Sequence, residues 1–135
     1  MSGEHPYSLV REEVVKFLYK CDVESIFYFP GLLYDTHSLD FSFEKSLRED
    51  ARKLIEGVME NLHDLDRDIT GASKNWTMER MSRTDRSVLR LAAYELQHKK
   101  APRKVVINEA IKLAKRYGSS HSGGFVNGIL DAFPH

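Results

Sequence analysis

Apolar residues return at helical spacing along most of this chain, and that rhythm predicts its elements. Between Tyr7 and Cys21, Val10, Val14, Phe17, Leu18 and Cys21 fall on one stripe at 100° per residue. Tyr19 lies on the opposite side with Glu12 and Lys16, and Arg11 lies at the stripe's flank. Pro6 stands near the helix start, where its missing N–H costs nothing. Residues 22–42 break the rhythm: Pro30-Gly31, Asp35 and Ser38 are turn formers, and Ile26-Phe27-Tyr28-Phe29 reads as a short helix or a packed loop. The stripe returns as Phe43, Leu47, Ala51, Leu54, Val58, Leu62, Leu65 and Ile69, one long amphipathic helix bent near Gly57 and central to the packing.

Gly71-Ala72-Ser73 ends that helix, and Trp76 and Met78 open a short segment. Ser82 and Asp85 have the spacing of a helix N-cap. The helix that follows, 84–98, buries Leu89, Ala92, Ala93 and Leu96. Lys99-Lys100-Ala101-Pro102 is a basic turn, with Pro102 placed to begin the next helix. That helix buries Val106, Ile107, Ala110, Ile111 and Ala114, and Gly118 stands where a left-handed C-cap would be needed. A last helix, 122–133, buries Val126, Ile129, Leu130 and Phe133. No segment alternates with period two, so the expected fold is all-α, a compact helical domain spanning residues 1–135.

Charge adds an asymmetry. Residues 1–70 carry 8 Lys/Arg against 15 Asp/Glu, a balance of −7; residues 71–135 carry 12 against 5, a balance of +7. Such halves either present two differently charged faces or are dispersed over a solvated surface. Cys21 is the only cysteine and lies on the apolar stripe, which fits a buried thiol in a reducing cytoplasm. The six histidines show no metal-ligand spacing, so neither a metal nor a cofactor is expected. No apolar run approaches the roughly 18 residues of a membrane span, and no signal peptide is evident. Gly123-Gly124 lacks the Lys-Ser/Thr of a phosphate loop, and nothing marks a nucleophile turn.

The residues left off the core stripes point to binding. Between 99 and 116, seven cations face one acid, Glu109. Lys104, Asn108, Lys112 and Arg116 recur every four residues on one helix face, either a solvated basic face or one that neutralises phosphates. Phe125 lies about 80° from its stripe centre, as core or as a ring on which an unpaired base stacks. Tyr19 offers a second ring. Asn127 points away from the core, to read a base edge or cap a backbone.

Several stretches together resemble the NusB transcription antitermination family. They are Trp76 to Met81, Asp85-Arg86 through Glu95-Leu96, Lys104 through Lys115 with the run Val105-Val106-Ile107-Asn108-Glu109-Ala110-Ile111, Tyr117-Gly118, Phe125-Val126-Asn127-Gly128-Ile129-Leu130-Asp131, and Gly57-Val58. The resemblance covers about residues 43–133, with 9–20 in weaker form. It implies two perpendicular three-helix bundles, no enzyme activity, and a bacterial cytoplasmic factor. It further implies binding of single-stranded boxA-type RNA of ribosomal operons with ribosomal protein NusE, acting indirectly on the RNA polymerase elongation complex.

Residue by residue, the resemblance nominates Arg11, Tyr19 and Phe125 for RNA, with Lys16 beside them, and the Asp85–Leu96 helix and the middle helix for NusE. Lys104, Lys112, Arg116 and Asn127 complete the candidate RNA surface from the periodicity above. The run of arginines that often opens NusB proteins is missing: only Arg11 stands between Ser2 and Glu13. Losing several phosphate contacts costs orders of magnitude in affinity at moderate salt. An alternative is therefore a scaffold that keeps the NusE partner and binds RNA weakly. A third reading, a relative of the NusB-like domain fused to RNA methyltransferases, is disfavoured because the chain ends at His135 without a cofactor-binding region. Monomer and homodimer would bury similar stripes.

Overall fold

The computed structural model describes residues 6–29, 31 and 45–134. Six α-helices and one 3₁₀ turn make up the described regular structure: α1 (Pro6–Val23), α2 (Lys45–Glu60), α3 (Leu62–Ser73), the turn Met78–Arg80, α4 (Arg83–Gln97), α5 (Arg103–Tyr117) and α6 (Ser122–Asp131). The expected all-α class is what is observed, with no strand among the described residues. Pro30, Asp35, Ser38 and Phe43 lie outside the described residues.

The long 43–69 stripe becomes two helices, and the break is at Asn61 rather than at Gly57. Asn61 turns its side-chain amide back to the Gly57 carbonyl at 2.8 Å, while its own carbonyl accepts from Leu65 N–H at 2.9 Å. Gly57 has a different task. A Cβ there would overlap the Tyr94 hydroxyl and lie 2.7 Å from Tyr94 Cε1, so the glycine lets a ring from α4 close onto α2.

The centre of the fold is α4, not the long stripe; it touches all five other helices. Ten of its residues are buried, from Asp85 to Glu95, and a helix so enclosed must bury polar groups with partners. Its start is the expected cap, the Ser82 hydroxyl accepting from Asp85 N–H at 3.0 Å. Its end is a Schellman closure, Lys100 N–H to Glu95 carbonyl at 3.0 Å, with Lys99 at φ 49°. The same closure ends α1, through Ile26 N–H to Cys21 carbonyl at 2.8 Å and Ser25 at φ 57°. Ile26 to Phe29 then run on as a loop, with Ile26 and Phe29 packed against the core.

Gly118 is not left-handed. Its φ of −97° and ψ of −162° are extended, and the reason for glycine is space. A Cβ would lie 2.6 Å from Ser122 Cβ and 2.7 Å from the Ala114 carbonyl, closing the tight α5–α6 connection. Pro102 is the N-cap of α5 rather than its first residue. Leu96 and Ile111 are half-buried, while Leu113 joins the core; Phe133 is buried just beyond the end of α6.

Pairing across the core consumes much of the charge asymmetry. Arg86 holds Asp22 bidentately at 2.5 and 2.6 Å, and Arg90 holds Asp66 at 2.9 Å through both nitrogens. Arg103 spends its guanidinium on the end of α6, donating to the carbonyls of Leu130 and Phe133 at 2.9 Å. The acidic first half and the basic second half are therefore stitched together rather than simply opposed.

Candidate nucleic-acid interface

Arg11 is placed inside the protein, not on its surface. It is 4% exposed, and its guanidinium forks onto Glu95, 1% exposed, with Nε–Oε2 at 2.8 Å and Nη2–Oε1 at 2.9 Å. Nη1 reaches Glu109 at 3.5 Å, the Ser8 hydroxyl donates to the same carboxylate, and the Tyr7 ring lies 4.6 Å from the guanidinium carbon. Burial works to lower the Arg11 pKa, but the bond and charge of Glu95 with the charge of Glu109 outweigh it and raise it. Arg11 clamps α1 to α4 and α5. It lies at the flank of the stripe because a fork this long reaches inward from there, and its burial sets it apart from the exposed candidates for RNA.

Tyr19 and Lys16 do lie on the surface of α1. Tyr19 is 43% exposed and Lys16 is largely free of the core. With Val15, Thr84 and Tyr117 they line an open groove of about 320 Å³. The Lys16 ammonium lies 5.8 Å from the centre of the Tyr117 ring and 3.8 Å from both Glu12 and Glu13. Burial alone would lower the Lys16 pKa; Glu13, Tyr117 and Glu12 more than reverse this, so the ammonium is held in its charged form.

The basic face of α5 meets this surface through Glu12. Arg116 forms an ion pair with Glu12, which also faces Lys16, so α1 and the last turn of α5 share one acid between two cations. Lys112 pairs with Glu109 at 2.9 Å. Lys104 and Asn108 are exposed on the same face. Hence Lys16, Tyr19 and Arg116 are brought together, with Lys112 one turn further along α5, whereas two of the three basic candidates on α5 already face carboxylates.

Phe125 and Asn127 sit on α6 in different company. Phe125 is half-buried and packs against the core. Its outer edge meets Trp76 in a T-shaped pair, centroids 5.5 Å apart at 75°. The Arg80 guanidinium lies 5.0 Å over the Trp76 ring, and Trp76 is 40% exposed. Asn127 is exposed. Trp76, Arg80, Thr84 and Tyr117 are the surface residues that sequence reasoning did not assign. Trp76 lies in the connection between α3 and α4 and Arg80 in its single 3₁₀ turn, too short for a periodicity to mark an outward face. Among the described residues no group of three or more His, Cys, Asp or Glu could hold a metal, and no helix is long and apolar enough to cross a membrane.

Comparison with known proteins bears on the family and the fold. The NusB family model matches residues 8–134. A transcription antitermination protein NusB of Anaeromyxobacter sp. (strain Fw109-5) is 44% identical over 121 residues, covering 90% of this chain and 84% of that protein. T. maritima NusB superposes with a TM-score of 0.83 at 41% identity, covering 95% of this chain and 89% of that one. A chain from a crystal structure of the antitermination factors NusB and NusE in complex with dsRNA has a TM-score of 0.74 at 23% identity, covering 94% of each, a likeness of fold. With nearly its whole length matched by the family model and its helices superposable on solved relatives, the chain belongs to the NusB family of transcription antitermination proteins.

Proposed function

We propose that the chain binds single-stranded boxA-type RNA of ribosomal operons together with ribosomal protein NusE, and so supports processive rRNA transcription through the polymerase elongation complex. The observation that carries this reading is the exposed ring of Tyr19 beside the charged Lys16 and Arg116 on one surface. An unpaired base stacks on such a ring for about 1–3 kcal/mol, while nearby cations take its phosphates. Phe125, with Trp76 and Arg80 beside it, and Asn127 offer a second patch of the same chemistry. A fold relative was crystallised with NusE and dsRNA, which supports NusE and RNA as the classes of partner; the single strand is argued from the stacking rings alone. The chain works by binding and not by bond chemistry, as its family does.

Affinity for boxA RNA, measured by filter binding with and without NusE across salt concentrations, tests this reading. With two to four phosphates neutralised, log affinity should fall against log salt with a slope of about −1.4 to −2.8, from about −0.7 per phosphate on a single strand. A flat salt dependence sinks phosphate-led binding. One observation favours a second reading, a NusE-binding scaffold with weak RNA affinity: Arg11 is interior, and Glu12 and Glu109 already face Arg116 and Lys112. NusE capture that is indifferent to RNA would select it.

A further inference from the structure

We infer that the groove between α1, α4 and α5 is a slot for a single nucleotide, walled by Tyr117 opposite Tyr19, with Thr84 at its side and Lys16 at its rim. The inference rests on the RNA-binding reading and deepens it. Tyr117 is the last residue of α5 and is 40% exposed, close to the 43% of Tyr19, so two phenol rings on different helices are both open to the groove. The volume of about 320 Å³ is at the small end of ligand sites, which run from about 300 to 1,000 Å³. That suits one base with its sugar and is too small for two.

The lining fits a nucleotide better than a peptide. It contains two phenol rings, one aliphatic side chain, the Thr84 hydroxyl and one ammonium, and no carboxylate. Every base has a π-face, so rings accept it whatever its identity. The Thr84 hydroxyl both donates and accepts, and can meet a base edge. Lys16 supplies the phosphate contact. Its two contacts with Glu12 and Glu13 are long, at 3.8 Å, and its side chain is 47% exposed. Such surface pairs contribute little to stability, so the ammonium can turn from carboxylate to phosphate at little cost.

Fluorescence anisotropy with a labelled boxA single strand tests the slot, using the full chain with NusE present. Tyr117→Ala should weaken binding by about 5- to 150-fold, the range of one stacked base, while Tyr117→Phe stays near wild type. A single abasic nucleotide, walked along the RNA, should cost wild type most at one position, and should cost Tyr117→Ala less there, because only the Tyr19 stack remains to be lost. Tyr117→Leu, which keeps apolar bulk on the last turn of α5, repeats the measurement should the alanine variant melt early by circular dichroism.

Wild-type affinity in Tyr117→Ala or Tyr117→Leu, or equal abasic costs in wild type and variant, overturns the slot while leaving RNA binding in place. Loss of NusE binding with RNA binding intact also overturns it, by giving the groove to a protein. Failure of the wild-type chain to bind the strand at all, with or without NusE, instead removes the RNA reading on which the slot stands.

Discussion

Replacing Arg11 with alanine should destabilise the fold far more than it harms RNA binding. The substitution strands the Glu95 carboxylate, 1% exposed, with both charge-assisted bonds at 2.8 and 2.9 Å removed. Each bond of this kind contributes about 1.5–3 kcal/mol, and breaking a buried pair from one side costs about 3–5 kcal/mol. Glu109 also loses its 3.5 Å neighbour and Tyr7 the cation over its ring. For a chain of this length, 3–5 kcal/mol is a fall in Tm of about 10–25 °C. Thermal unfolding by circular dichroism and urea unfolding measure it. The double variant Arg11→Met/Glu95→Leu, which removes both charges and keeps the volume, should return to within about 2 kcal/mol of wild type. RNA affinity per folded molecule should change little in either. A Tm within about 3 °C of wild type together with lost RNA affinity would refute the interior clamp and return Arg11 to the RNA surface.

Three further outcomes follow from single contacts. Gly57→Ala should cost about 1–3 kcal/mol by overpacking against Tyr94, despite alanine's helix advantage of about 0.5–1 kcal/mol, and pairing it with Tyr94→Leu should recover most of the loss in urea melts. Cys21 is fully buried, and burial, then Glu24, pushes its thiol up to about 11; a disulfide reagent at pH 8 should leave it untouched until denaturant is added. Burial pushes the Glu109 carboxyl up, but bonds from Ser8 and Lys112 and the Arg11 charge outweigh it and hold the group below 4.5. A depressed folded pKa contributes stability that is present above about pH 4.5 and lost as pH falls through the folded value, so Glu109→Gln should flatten the urea midpoint below that pH; parallel acid limbs would contradict it.

The helices were legible because each has a sustained apolar stripe, and Ser82 because a cap needs one residue type at one offset. What stayed hidden was set by tertiary contact. Glycine at 57 and at 118 reads as a bend and a left-handed cap, yet each marks a place where another side chain must come close, Tyr94 in one case and Ser122 in the other. The centrality of α4 was hidden because a stripe records apolar positions only, whereas α4 also buries Arg90 and Glu95, whose partners lie 24 and 84 residues away. On the candidate site, the periodicity separated Tyr19 and Lys16 from the core correctly. It could not tell that Arg11, one position from the stripe, had a carboxylate waiting inside, nor that Tyr117 faces the groove beside Tyr19.

The missing N-terminal arginines make the remaining cations matter, and their restraint by acid is open to test. Glu12 faces both Lys16 and Arg116, so part of the positive field at the Tyr19 surface is cancelled by one carboxylate. Glu12→Gln removes a unit of repulsion near the path of a phosphate while leaving side-chain size intact. At solvent-exposed distances one charge interacts for about 0.5–1 kcal/mol, so RNA should bind about two- to fivefold more tightly, with the gain shrinking as salt rises. NusE affinity serves as the internal control and should stay constant. If Glu12→Gln leaves RNA affinity unchanged at low salt, the strand does not run past Lys16 and Arg116, and the weight of RNA binding shifts to the Trp76–Phe125 patch.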